Sequence, residues 1–284
     1  MGFTLLIDKT ELSLHLNDKK WAVVDCRFSL DDVERGRRDY LKAHIPGAVY
    51  AHLDEDLSGK KIPGKTGRHP LPEMTSLAVT LSAWGIDADT QVVVYDDATG
   101  TMAARLWWLL QWLGHSNVAV LDGGWMAWIR SGQTARSGRE SRPPAHFEPN
   151  EISGAYVTTA QIQELRNDPR YVILDARSGP RFRGEVEPID PVAGHIPGAI
   201  SVPCEENVTP EGKFHPPEIL RRRFENLMKA ISPENVICYC GSGVTAAHTI
   251  LAIALAGLGR PRLYAGSWSE WITDAARPIA TGTS

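Results

Sequence analysis

The apolar positions of this chain gather into short β-branched runs separated by longer helical stretches. AVVD (22–25), VVVYD (92–96) and VAVLD (118–122) in the first half, and VILD (172–175) and VICY (236–239) in the second, are continuously apolar with few polar interruptions. That pattern predicts strands buried on both faces of a parallel sheet rather than strands with one wet face. Between them lie AARLWWLLQWLG (103–114), TAQIQELRND (159–168) and TAAHTILAIALAGLG (245–259). These read as helices, with Gly114 and Gly257 or Gly259 as stops. Strands alternating with helices imply an α/β fold in which helices cover both faces of each sheet.

The pattern then repeats. WAVVDCR (21–27) returns as YVILDAR (171–177), AHIPGAV (43–49) as GHIPGAI (194–200), QVVVYDD (91–97) as NVICYC (235–240), and LDGGWMAW (121–128) as LYAGSWSEW (263–271). Four matches in the same order, at offsets near 150 and then 143 residues, indicate two copies of one domain rather than a solenoid of short units. The stretch 131–150 is polar, Pro-rich and aperiodic. The expected layout is therefore a first domain at 1–135, a linker at 136–150 and a second domain at 151–284.

Composition narrows the class. The 284 residues are 43% apolar and carry a formal net charge of −4, enough for two cores and no invitation to nucleic acid or an anionic membrane. The first twenty residues contain early acids and no long apolar core, so they do not read as a secretory signal, and Leu6 spoils the myristoylation pattern after Gly2. The longest apolar stretch, 249–258, is too short to span a bilayer. A cytoplasmic setting is expected. Four cysteines in a chain of this size do not make a disulfide scaffold. Cys238-x-Cys240 is half of a zinc site at most, and Cys26 and Cys204 lack ligand spacing, so no metal and no cofactor are expected.

The chemistry gathers at CYCGSGVTAAH (238–248). Cys240 ends a buried strand and precedes a helix starting near Val244 or Thr245. Open α/β sheets place their sites at that end of the strands. Gly241 and Gly243 allow a tight loop and close backbone approach. The N–H groups of Gly241, Gly243, Val244 and Thr245 can then form an anion-binding nest that favours thiolate over thiol and faces the substrate. A buried inert thiol is the reading for Cys238. The first half carries Asp97 where the second has Cys240, and no Gly-x-Gly follows it, so only the second half is expected to be catalytic.

The paired HIPGA segments, the CGSGVTA loop and the closing GSWSEW resemble the tandem-domain rhodanese family, most closely its 3-mercaptopyruvate sulfurtransferase branch, over nearly the whole chain. The resemblance implies two rhodanese-like domains, each a parallel sheet flanked by helices, and a persulfide on Cys240. It implies that Arg181, in SGPRFRGEVEP, holds the substrate carboxylate, a task suited to a planar fork of donors. Relatives carry a second arginine nine residues on; here that position is Asp190, with Arg183 as a substitute. The resemblance also implies a proton relay of Ser242, His69 in GRHPLP, and Asp54 in AHLDED. A small anionic sulfur donor is implied, preferably 3-mercaptopyruvate, with a small thiol, cyanide or thioredoxin as acceptor.

Three other functions compete. A phosphatase of this fold needs Cys-x5-Arg, and the arginine position holds Ala246. A thiosulfate sulfurtransferase should place cations beside the cysteine, where Gly241 and Ser242 are neutral. A non-catalytic sulfur-carrier module would have no need of the intact loop. Asp25-x-Arg27 and Asp175-x-Arg177 occur in both halves and read as fold-supporting ion pairs. His44 and His195 read as turn residues, and Trp107, Trp108, Trp125, Trp128, Trp268 and Trp271 as core.

Overall fold

The computed structural model describes residues 2–228 and 231–283. They form two compact units, one of Met1–Gly59, Leu71–Ile152 and Pro210–Lys213, the other of Lys60–Pro70, Ser153–Thr209 and Phe214–Ser284. In the first, strands β1 (Leu6–Ile7), β2 (Trp21–Asp25), β3 (Val49–Tyr50), β4 (Gln91–Tyr95) and β5 (Val118–Leu121) pair in the order β1-β5-β4-β2-β3. In the second, β6 (Tyr156–Val157), β7 (Val172–Asp175), β8 (Ile200–Ser201), β9 (Val236–Tyr239) and β10 (Arg262–Tyr264) pair in the order β6-β10-β9-β7-β8. Every pairing is parallel and the two orders are the same, so the sequence repeat is a repeat of topology.

The helices of the first unit are α1 (Lys9–Leu14), α2 (Arg35–Lys42), α3 (Met74–Ala83), α4 (Thr101–Trp112) and α5 (Gly124–Arg130). Those of the second are α6 (Thr159–Leu165), α7 (Gly179–Arg183), α8 (Pro217–Met228), α9 (Thr245–Leu255) and α10 (Ser267–Trp271). Helices α4 and α9, apolar on nearly all sides in sequence, are buried along most of their length. The cores are built from matching positions: Val23, Val93, Tyr95 and Trp128 in one, Ile173, Ile237, Tyr239 and Trp271 in the other. Trp125 differs from its core assignment, being only half-buried, at the rim of its cluster. No helix among the described residues is long and apolar enough to cross a membrane.

The duplicated Asp-x-Arg motifs are buried ion pairs of the same design. Arg27 donates from Nη2 to Asp25 at 2.6 Å and to Ala43 O at 2.7 Å; Arg177 donates to Asp175 at 2.6 Å and to Gly194 O at 2.7 Å. Each guanidinium lies 4.7 Å from an indole ring, that of Trp125 or Trp268. His44 and His195, both fully buried, bond the carbonyls of Tyr40 (2.7 Å) and Phe182 (2.8 Å) through Nδ1 and stack on those rings. These four charged residues and two histidines hold turns in place in both units.

The stretch 131–150 has no helix or named strand, but it is not a free tether. His44 and Arg136 exchange backbone hydrogen bonds (2.8 and 2.9 Å), Ala145 N–H and Phe147 N–H bond Ser82, and Asn150 N–H bonds Leu113 O. It straps the first unit. A second surprise is the placement of residues 60–70, which lie between two first-unit segments in sequence yet pack with the second unit. Arg68 N–H donates to Ser269 Oγ at 3.0 Å, and Gly67 lies so close to Gly266 O that a Cβ there has no room. That excursion brings His69 and Arg68 to the loop after β9.

Candidate active site

Cys240 is the first residue after β9 and is 2% exposed. Its sulfur accepts the Gly243 N–H at 3.1 Å. Gly243 has φ +80°, and a Cβ on it would sit 2.7 Å from Ala265 O, so both conformation and space require glycine. Val244 caps α9 and Thr245 opens it, which places the sulfur before a helix N-terminus as the sequence predicts. The N-terminal end of α10 holds the loop from the other side: Trp268 N–H and Ser269 N–H donate to Cys240 O and Gly241 O, each at 2.9 Å.

One supporting residue is passed over by the sequence reading. Ser267 has φ +55°, uncommon for a residue with a side chain. Its hydroxyl accepts the Cys240 N–H at 3.1 Å and donates to Tyr264 O at 2.8 Å. The equivalent first-unit residue is Gly124, also at φ +55°. The 143-residue offset of the repeat already pairs Gly124 with Ser267, so the exchange of a glycine for a hydroxyl there is the signal that could have isolated it.

Matching the two units by structure corrects the first-half counterpart of Cys240. Tyr95 and Tyr239 both end their strands and both accept a backbone N–H from the HIPGA turn at 3.2 Å. The residue after each is Asp96 and Cys240, and the carbonyls of both are bonded by matching indole residues, Trp125 N–H and Trp268 N–H. Asp96, not Asp97, stands at the nucleophile position. Asp97 is a half-buried partner of Arg35. The Asp96 carboxylate accepts N–H groups of Ala98, Gly100, Met102 and Ala103 at 2.7–2.8 Å. Burial pushes its pKa up, against the pull of those hydrogen bonds. The first unit thus fills its own nest with a fixed anion, whereas the second presents a sulfur to the matching nest.

The other cysteines are thiols held away from ionisation. Burial pushes Cys26 and Cys238 up, and burial with the neighbouring Glu205 and Cys240 pushes Cys204 up to about 12.

His69 and Ser242 are both buried, and His69 Nδ1 lies 2.7 Å from Ser242 Oγ. Asp54 is exposed in the first unit, where its N–H donates to His52 Nδ1 at 3.2 Å. Arg181 is 14% exposed. It donates from Nε and Nη2 to Glu187 at 3.0 and 2.7 Å, and from Nη2 to Asp190 at 3.1 Å; Nη1 makes no hydrogen bond among the described residues. Arg183 bonds Glu185 at 2.7 and 2.8 Å, and no hydrogen bond or ion pair joins it to the loop among the described residues.

Arg68 is the basic residue that the sequence reading passes over, though it adjoins His69 in GRHPLP. A Cβ placed on Gly241 would lie 2.6 Å from Arg68 Nη2 and 3.6–3.7 Å from Arg181 Nη2 and Nη1. Two guanidinium groups therefore converge on the residue next to Cys240. The neutrality of Gly241 and Ser242 understated the local charge, because the cations arrive from residues 68 and 181. Both are balanced by buried carboxylates. Asp190 is held by Arg68 through Oδ1 and by Arg181 through Oδ2, and Glu187 by Arg181 and Arg177. Burial raises the pKa of Asp190 against the pull of Arg68 and Arg181, while for Glu187 burial is outweighed by Arg181 and the pKa falls.

Glu34, His52 and Glu55 in the first unit could each turn a ligand atom to one ion. Their donors are already committed. His52 uses both ring nitrogens, on Val33 O and on the N–H groups of Asp54 and Glu55, and Arg37 bridges the two glutamates. The group is a guanidinium site rather than a metal site.

The rhodanese-like domain family matches residues 8–131 and 158–274 of this chain. A Pseudomonas aeruginosa protein named as a probable 3-mercaptopyruvate sulfurtransferase is 48% identical over 283 residues, 99% of this chain and 100% of that protein. A Mycobacterium tuberculosis protein with a provisional thiosulfate sulfurtransferase name is 40% identical, over 93% of this chain and 92% of its own. The solved 3-mercaptopyruvate sulfurtransferase of Leishmania major has a TM-score of 0.83 at 34% identity, covering 94% of this chain and 74% of that one.

Proposed function

This chain belongs to the rhodanese family and is a sulfurtransferase, and from that premise we propose that it takes sulfur from 3-mercaptopyruvate onto Cys240 and passes it to a thiol, cyanide or thioredoxin. The observation that carries the reading is the Cys240 sulfur at a strand end with the Gly243 N–H directed at it. A backbone donor and a helix N-terminus favour negative sulfur, first as thiolate and then as persulfide anion.

In the loading step the Cys240 thiolate attacks the sulfur of the donor. An S–S bond forms, the donor's C–S bond breaks, and its electron pair leaves with carbon as the enolate of pyruvate. The thiol proton of the donor is the proton that the enolate carbon needs. Ser242 and His69, hydrogen-bonded at 2.7 Å, are placed to carry it, so Cys240 is left as a persulfide anion and pyruvate departs neutral at carbon. In the unloading step an acceptor thiolate attacks the outer sulfur and frees the Cys240 thiolate, a ping-pong course. Arg181, with Nη1 unspent, is the group assigned to the donor carboxylate. Arg183, hydrogen-bonded to Glu185, is given no role in this scheme, and Asp54 stays the proposed acidic member of the relay with Ser242 and His69.

Thiosulfate is the second reading, and one observation favours it: the two guanidinium groups beside Gly241. Intact-protein mass measurement after incubation with each donor separately tests both. A one-sulfur adduct from 3-mercaptopyruvate, absent in Cys240→Ser, is the expected result; an adduct from thiosulfate alone replaces the donor assignment, and no adduct from either removes the persulfide.

A further inference from the structure

We infer that Asp190 sets the charge of the donor that this site accepts, by placing a fixed negative charge between Arg68 and Arg181 beside the nucleophile loop. The inference rests on the reading of Cys240 as acceptor of sulfur from a small anionic donor.

Arg68 and Arg181 both border the space that a side chain on Gly241 would take, one residue beyond Cys240, so any donor delivering sulfur to Cys240 meets their field. Asp190 is bound by both, one oxygen to each, and its side chain is 3% exposed, so solvent screens it poorly. With Glu187 bound to Arg181 and Arg177, and Arg177 paired with Asp175, the cluster holds three cations and three anions. A site in this balance holds an anion through the directed N–H groups that remain free, rather than through excess charge. Arg181 Nη1 has no hydrogen-bond partner among the described residues, and neither does the buried Arg68 Nε.

A fixed negative charge repels a donor in proportion to the donor's own charge. For a dianion the repulsion is twice that for a monoanion at the same position. Selectivity between the two is therefore set by the interaction of one unit charge with Asp190. At a few ångströms, with the effective dielectric of a partly buried site, that interaction is worth about tenfold or more in rate. Asp190 therefore disfavours the thiosulfate dianion without barring a 2-oxo acid bearing one carboxylate. The two arginines keep the monoanion bound.

The test is single-turnover loading of Cys240, read by intact mass, with 3-mercaptopyruvate and with thiosulfate. Asp190→Asn keeps the shape and removes the charge. It should lower the preference for 3-mercaptopyruvate over thiosulfate by about tenfold or more, with thiosulfate loading rising in absolute rate. Asp190→Glu should keep the ratio near that of the unmodified protein. Arg68→Met removes a cation and should move the ratio the opposite way. Generalised damage to the site slows both donors and does not produce opposite shifts. An unchanged ratio in Asp190→Asn, or shifts of the same sign in Asp190→Asn and Arg68→Met, overturns the inference. Should Asp190→Asn not fold, failure of Arg68→Met to raise the ratio overturns it equally. Absence of any 3-mercaptopyruvate adduct on the unmodified protein defeats the donor assignment instead, and the absolute rise in thiosulfate loading then decides the role of Asp190 by itself.

Discussion

His69 Nδ1 and Ser242 Oγ lie 2.7 Å apart, both buried, although 173 residues separate them in the chain. The contact exists because residues 60–70 fold onto the second unit and are tied there by Arg68 N–H to Ser269 Oγ. The proton relay proposed for this pair would serve only a donor that brings a proton. Ser242→Ala and His69→Ala should therefore slow loading from 3-mercaptopyruvate by about 10²–10⁴-fold, and loading from thiosulfate, which has no thiol proton, far less. Equal losses with both donors in single-turnover loading would count against proton transfer as the role of this pair.

Covalent chemistry should be confined to Cys240. Cys240→Ser should abolish transfer, while Cys26→Ser, Cys204→Ser and Cys238→Ser should retain most of it. Burial keeps Cys26 and Cys238 protonated and holds Cys204 up to about 12, so near neutral pH none of the three supplies an appreciable thiolate fraction. Peptide mapping after brief alkylation should find the label on Cys240, and prior loading with donor should move it to the outer sulfur, adding one sulfur to the mass of the labelled peptide. Substantial labelling of Cys204 at neutral pH would contradict this account.

Much of this was legible in the chain because it lies in local pattern. Continuous β-branched runs marked the buried strands, and a strand-Cys-Gly-x-Gly-helix order marked the loop. The paired Asp-x-Arg motifs identified themselves as structural by occurring in the half without a nucleophile. What escaped depends on pairing between distant segments. Arg68 bore no motif of its own, and only the excursion of residues 60–70 places it against Gly241. Asp190 stood in the sequence only as the missing second arginine; that it is a buried partner of two arginines follows from the fold. The offset between Asp97 and Cys240 was one residue wrong, because the repeat offset changes between turns and strands; strand ends and shared carbonyl bonds fixed it at Asp96. Ser267 stands opposite Gly124 in the repeat, but the positive φ that gives the exchange its importance shows only in the fold.

Gly243→Ala should cost both stability and loading rate. The substitution forces a side chain into φ +80° and places its Cβ 2.7 Å from Ala265 O. Conformational strain alone is about 1–3 kcal/mol. Because Gly243 N–H is the donor to Cys240 Sγ, relief of the clash by moving the loop disturbs the sulfur environment directly. Thermal unfolding and single-turnover loading should fall together. A stable Gly243→Ala protein that loads at the normal rate would show that the loop does not need this geometry.

The last prediction separates fold from site by using the duplication as its own control. Arg27 and Arg177 make nearly the same bonds: a forked pair with the aspartate two residues earlier, a carbonyl at 2.7 Å and an indole at 4.7 Å. Removing either cation leaves a buried carboxylate, Asp25 or Asp175, without its partner. The cost of breaking such a pair is about 3–5 kcal/mol. Arg27→Met and Arg177→Met should therefore lower the thermal stability of their own units by similar amounts. Arg177 alone has a further link, at 3.4 Å to Glu187, and Glu187 in turn grips Arg181, whose guanidinium faces Gly241. Loss of Arg177 should loosen Glu187, change how Arg181 is held, and raise the concentration of donor needed for half-maximal loading. The unloading step with an uncharged thiol should be spared, since that acceptor has no carboxylate to be held. Arg27→Met should leave both half-reactions of the folded protein near normal. The comparison requires paired measurements of thermal unfolding, loading and unloading at a temperature where both variants remain folded. If both variants weaken loading to the same degree, the Arg177–Glu187–Arg181 chain does not connect the ion pair of the fold to the donor site.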